Sequence, residues 1–133
     1  MKNKNIIKSI TNATLSLIIL SGCASQVPSQ PPAPNSVAAK INYLGDLPYI
    51  SINDLRMSPV NNFKIVNADI KNNDSDYANI EYRFQWRDID GMSVGTEENW
   101  TTLQLSPMQT QRIKGTATAK EVVDFRLELK SKN

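Results

Sequence analysis

The chain has 133 residues, with 15 basic and 13 acidic side chains, one cysteine and no histidine. That length allows one small domain beside a targeting segment, and a lone cysteine allows no internal disulfide. The missing histidine removes zinc and copper sites of the usual ligand set and any Ser-His-Asp or Cys-His pair, and the whole-chain net charge is +2.

Residues 1–22 read as a secretory signal. Lys2, Lys4 and Lys8 give the basic start, Ala13 to Leu20 the apolar stretch, and Ser21-Gly22 the small residues at the cut. A permanent membrane helix needs about 20 mostly apolar residues, and Thr11, Asn12, Thr14 and Ser16 interrupt this stretch. The run Leu20-Ser21-Gly22-Cys23 resembles the bacterial lipobox. That resemblance implies cleavage before Cys23, diacylation of its thiol and acylation of the new amine, so Cys23 is the expected lipid attachment site. The alternative is a stray thiol behind an ordinary secretory signal. Two or more acyl chains give stable anchoring where one does not. Ala24 rather than Asp follows the cysteine, which by analogy with enterobacterial sorting favours the outer membrane, with the domain facing the periplasm. Residues 1–22 hold three lysines and no acid, leaving twelve basic and thirteen acidic residues in the mature chain. That net charge near −1 gives no footprint for nucleic acid and no polybasic patch for anionic lipid.

Residues 23–36 are the lipidated cysteine and a linker rich in proline, serine and glutamine, with four of the chain's seven prolines. Such a segment is extended and semi-rigid, and its role is spacing over roughly 30–40 Å. Residues 37–133 hold all nine aromatic residues and are expected to form one all-β domain. Ile80, Tyr82, Phe84 and Trp86 alternate with polar residues, as do Val66, Ala68 and Ile70, and Val123, Phe125, Leu127 and Leu129. Period-2 alternation marks strands with one buried face. Shorter strand candidates are 39–44, 49–53, 101–105 and 110–115, and the nearest helical candidate is 116–123. Turn chemistry at Asn72–Asp76, Asp88–Gly91 and Ser106-Pro107 separates the strands. About seven strands at this spacing predict a two-sheet antiparallel β-sandwich.

Asp54-Leu55-Arg56, Asn62-Phe63, Ile70-Lys71-Asn72, Tyr82-Arg83-Phe84-Gln85-Trp86 with Asp88 and Gly91, then Gly115, Ala117 and Phe125-Arg126-Leu127 resemble the YcfL-type bacterial lipoproteins. The resemblance spans roughly residues 50–130. It implies an immunoglobulin-like sandwich on an outer-membrane or periplasmic lipoprotein, with no catalytic residue to carry over. In enteric bacteria such genes tend to neighbour a lipoprotein activator of peptidoglycan synthases.

No residue pattern points to catalysis, a metal or a cofactor. Asp74-Ser75-Asp76 and Asp88-Ile89-Asp90 are paired carboxylates, but both sit in turns, where aspartate serves local hydrogen bonds. A calcium loop opening at Asn72 or Asp74 would close on Arg83 or Gln85, not the bidentate glutamate such loops use. Trp86 is in phase with the core. Trp100 shares phase with Thr102 and Gln104 and is expected to point outward. Together with Arg83, Gln85 and Arg87 on the polar face of their strand, it forms the candidate binding surface. Glu97-Glu98-Asn99-Trp100-Thr101 has the acidic-x-Asn-x-Thr form of bacterial N-glycosylation acceptors, conditional on a host with that system. The expected function is a non-enzymatic, outer-membrane-anchored lipoprotein whose domain binds another envelope component, a protein or peptidoglycan. The alternative is a surface-exposed adhesin contacting a host molecule.

Overall fold

The computed structural model describes residues 36–132. The expected signal (1–22), Cys23 and the linker up to residue 35 lie outside the described residues. Seven strands follow a single 3-10 turn at Ala38–Lys40: β1 (Ile41–Leu44), β2 (Ile50–Val60), β3 (Phe63–Asn72), β4 (Ala78–Arg87), β5 (Thr101–Leu105), β6 (Thr110–Ala117) and β7 (Asp124–Ser131). They form two sheets, ordered β1-β7-β4-β5 and β2-β3-β6.

The expected immunoglobulin-like sandwich is what forms. β2, β3 and β6 take the places of strands A, B and E, while β7, β4 and β5 take those of F, C and C′. The slot of strand G is filled by β1, which comes from the other end of the chain. It therefore lies parallel to β7, with Ile41 opposite Leu127 and Leu44 opposite Lys130, the one exception to the antiparallel expectation.

Alternation places the core where the sequence put it. Ile80, Phe84 and Trp86 from β4 and Phe125, Leu127 and Leu129 from β7 face Val66, Ala68 and Ile70 from β3 and Ile113 and Ala117 from β6. Phe84 and Trp86 stack at 5.6 Å with 14° between their planes. The buried Trp86 indole donates to Glu98 Oε1 at 2.6 Å, so its polar edge is satisfied.

Four expectations fail. The strand read as 49–53 runs on to Val60, because the register shifts between Ile52 and Asp54. The extra residue there, Asn53, moves the inward positions from Ile50 and Ile52 to Leu55 and Met57. Pro59 is tolerated because β2 is a sheet edge. Residues 116–123 form no helix; the strand of 110–115 extends to Ala117 and a turn at Lys120-Glu121 follows. Val123 is not part of the β7 alternation: it is 43% exposed while Val122 is 1% exposed, since Val123 N–H donates to Arg87 O before β7 begins. At the other end, residues 39–40 of the strand read as 39–44 belong to the 3-10 turn.

Gly115 sets how closely the sheets approach. It lies on β6 opposite Val66 and faces β4 across the sandwich. A Cβ at this position would sit 2.5 Å from Phe84 Cδ2 and 2.8 Å from Phe84 Cγ, inside van der Waals contact. Gly115→Ala is therefore expected to force Phe84 off its site and destabilise the domain by about 1–3 kcal/mol, the range for overpacked cores. A melting curve for the variant indistinguishable from wild type would contradict this.

The first strand is locked electrostatically. Lys40 Nζ lies 2.6 Å from both carboxylate oxygens of Asp124, and Arg126 donates to Ala39 O. Burial pushes the Asp124 carboxyl up, but the Lys40 ammonium, the Phe125 N–H and the charge of Arg126 outweigh it and hold the group below its ordinary range. Because the folded state keeps Asp124 ionised to lower pH than the unfolded chain does, this stabilisation is complete above about pH 4 and fades as pH falls through the depressed value. Asp124→Asn should flatten part of the acid limb of stability against pH while leaving the neutral limb parallel to wild type, measured by denaturant unfolding.

Candidate functional site

The sequence candidates lie on the outer face of the β1-β7-β4-β5 sheet. Arg83 on β4 sits opposite Glu128 on β7. Its Nε donates to Glu128 Oε2 at 2.7 Å and its Nη1 to Glu97 Oε2 at 2.8 Å. Asn42 on β1 adds a hydrogen bond from Nδ2 to Glu128 Oε1 at 3.1 Å. The Glu128 residue, on a face that should be wet, is only 6% exposed.

Trp100 covers the arginine of that pair. Just ahead of β5, it lays its ring beside the pair, with Arg83 Cζ 4.6 Å and Lys130 Nζ 4.4 Å from the ring centroid. Lys130 also pairs with Glu81 at 3.1 Å. Trp100 is thus on the outer face, as its phase implies, but half-buried and spread over two cations, a geometry worth about 1–2 kcal/mol per contact when partly desolvated. The structure brings Trp100 and Arg83 together and leaves Gln85 and Arg87 apart from them. Arg87 Nη1 donates to Gly91 O at 2.7 Å and Nη2 reaches Gln85 Oε1 at 3.3 Å, while its Nε is buried without a partner. That guanidinium braces the turn after β4. Asn99 is exposed between two anchored neighbours, Glu98 under Trp86 and Trp100 over Arg83.

The paired aspartates are turn residues in geometry. Asp88 Oδ1 accepts the N–H groups of Asp90 at 3.0 Å and Met92 at 2.8 Å, with Gly91 at φ +78° closing the loop. Asp74 Oδ1 accepts the Ser75 N–H at 2.7 Å. Among the described residues, no group of three or more acidic or cysteine side chains converges as metal ligands would. On the outer face of the other sheet, Asp54 pairs with Arg56 and Asp69 with Arg112, each through both carboxylate oxygens. Those hydrogen bonds hold both carboxyls below their ordinary range, and the charges cancel locally.

A different feature lies at the end of the sandwich where β2 and β4 begin and β3 and β7 finish. A cleft of about 290 Å³ opens there between the β1–β2 and β3–β4 loops. Its apolar lining includes Leu47, Ile50 and Ile80, and its polar lining Asp46, Asp74, Asn79 and Lys132. Tyr49 and Tyr77 also line it, at 55% and 67% exposed. The buried side chain of Asn72 builds this end. Its Nδ2 donates to Asp76 O at 2.7 Å and Ser106 O at 3.1 Å, and its Oδ1 accepts the Asp74 N–H at 2.9 Å. Asn73 ties the neighbouring loop, donating from its backbone N–H to Tyr49 O at 2.8 Å. Sequence reasoning missed this cleft. The available signal was two tyrosines flanking turn residues, Pro48-Tyr49 and Asp76-Tyr77, out of phase with any long strand.

Residues 47–131 match the family described as protein of unknown function (DUF1425). The chain belongs to the DUF1425 family. Its domain is similar to the crystal structure of a DUF1425 member from Shewanella sp. pv-4, with a TM-score of 0.59 at 19% identity over 63% of this chain and 79% of that one. It is equally similar to Campylobacter jejuni cj0090, with a TM-score of 0.59 at 20% identity over 70% of this chain and 98% of that one. At such identities the likeness is one of fold. No curated protein matches the sequence. The matched span includes Asn72, Arg83, Gly115 and Glu128 as well as both cleft tyrosines.

The Arg83–Glu128 pair is a stability element in this DUF1425 domain. Arg83→Ala leaves a buried carboxylate without its cation and should cost about 3 kcal/mol or more. Replacing both residues by leucine should recover most of that loss, because a buried pair is often matched by well-packed apolar residues. Denaturant midpoints of the two variants check this; equal losses in both would show that the ion pair is not what the site depends on.

Proposed function

We propose that this protein is a lipid-anchored binding module of the bacterial envelope, of the YcfL type, held at the outer membrane through Cys23 and acting by binding rather than catalysis. The lipobox-like run Leu20–Cys23 supports the anchor, and the proline-rich stretch behind it supports a spaced, periplasm-facing domain. The observation that carries the binding reading is the contrast between faces. Arg83 with Glu128 on one sheet face and Arg112 with Asp69 on the other are consumed by one another, while the end cleft keeps two exposed tyrosines above a preorganised floor. Large exposed aromatic groups on rigid loops are retained for contact.

The chain reaches the domain at the opposite end. Lys40 meets Asp124 at the start of β7, and Ser131 at its finish lines the cleft. The cleft is thus at the end of β7 remote from Lys40, which supports it as the binding end. Trp100 and Arg83, part of the surface read from sequence, lie outside this cleft and engage each other on the sheet face.

In cells, Cys23→Ala should abolish labelling by a palmitate analogue and release the protein from the membrane fraction. A photoreactive residue at position 77 in the otherwise intact protein should capture a discrete envelope component, and one at position 112 should not. Labelling of the Cys23 variant would refute the anchor; equal capture at both positions would refute the cleft as the binding end.

A further inference from the structure

Building on the binding-module reading, we propose that the end cleft is a sugar site that accepts one or two pyranose rings of an uncharged envelope glycan. Tyr49 and Tyr77 are the two most exposed aromatic rings among the described residues, and both line this one cleft. A pyranose presents a face of C–H groups and a rim of hydroxyls. Such a ring packs flat on an aromatic side chain, whose face is electron-rich, while planar carboxylates and amides hold the rim. Asp46, Asp74 and Asn79 supply those groups beside the tyrosines, and Lys132 supplies a donor.

Size and charge narrow the ligand. At about 290 Å³ the cleft sits at the small end of ligand pockets, which run from roughly 300 to 1,000 Å³, so it takes a short segment of a longer chain. Two carboxylates against one ammonium make it unfavourable for a phosphorylated or strongly anionic saccharide. An extended peptide fits less well. The cleft crosses the ends of β2, β3, β4 and β7 rather than running along a sheet edge, so a peptide would gain no main-chain ladder there. The loops are already fixed by Asn72 and Asn73, so little ordering is needed on binding.

The test uses the full lipidated chain in detergent micelles. The probes are peptidoglycan glycan strands stripped of stem peptides with the freed lactyl carboxyls capped as neutral methylamides, intact peptidoglycan, and a neutral soluble polysaccharide from the same envelope. Saturable binding to stripped strands or to the neutral polysaccharide is expected, and which of the two binds identifies the source. The Tyr49→Ala/Tyr77→Ala double variant should weaken binding roughly tenfold or more with an unchanged melting curve, and Trp100→Ala should leave affinity within about twofold. Binding to intact but not stripped peptidoglycan would assign the cleft to stem peptide and overturn the sugar proposal. So would the absence of saturable binding to any probe, or binding indifferent to the double variant. In those cases capture at position 77 in cells would still uphold the binding-module reading, and its absence would remove that as well.

Discussion

The distance between the two sheets is fixed by one pairing, the Phe84 ring lying on the backbone of Gly115. An aromatic ring fills the space a side chain on β6 would otherwise take, so the sheets close at the thickness of a single ring there. Everything beside that contact inherits its spacing. Trp86 stacks on Phe84, Tyr82 meets Phe84 edge-on with ring centroids 6.1 Å apart, and Phe125 lies against Trp86 at 6.5 Å. This aromatic row runs along β4, the strand whose outer face carries Arg83. The inner and outer faces of one strand therefore set the core and the surface ion pairs together.

How much of this was legible depends on what each feature needs. β3, β4 and β7 announced themselves through period-2 alternation because each has one face fully in the core. β2 was readable only to its bulge, since an inserted residue flips the inward phase and breaks the alternation there. Val122 replaced Val123 in the core because the last residues before β7 turn to pair with the end of β4, a tertiary event with no local signature. Trp100 was placed on the correct face from its phase, but its half-burial arises from residues on β4 and β7, distant in sequence. The cleft was the least legible feature. It joins residues from 46 to 132, and Asn72 reads in sequence as one more turn residue although it is fully buried.

The polar groups of this domain divide into two economies of contact. On the sheet faces, Arg83 meets Glu128 and Glu97 in shared geometry and Arg112 meets Asp69 in bidentate geometry, leaving those groups little free hydrogen-bonding capacity. At the loop end, backbone groups are satisfied by Asn72 and Asn73, and Asp74 and Lys132 brace Ser75 and Thr102, while Asp46, Asn79 and the two tyrosines make no side-chain hydrogen bond among the described residues. A fold that settles its charges on its faces and its loops through buried amides can vary the remaining loop side chains without disturbing the core. The site then changes independently of the scaffold.

The parallel β1–β7 pairing bears on mechanical load. The chain preceding Ser36 joins the domain through Ala38–Lys40 and β1, and β1 points along β7 toward the cleft. A pull on that preceding chain, with the cleft end held by a ligand, is directed along the strands. Its four register pairs from Ile41–Leu127 to Leu44–Lys130 are then strained in shear, all at once, rather than peeled open one after another. The Lys40–Asp124 bridge lies at the loaded end and resists the same sliding motion. A first strand laid parallel to the last gives the domain a grip that tension engages as a unit, which a hairpin at the same edge, opened from its free end, would not provide.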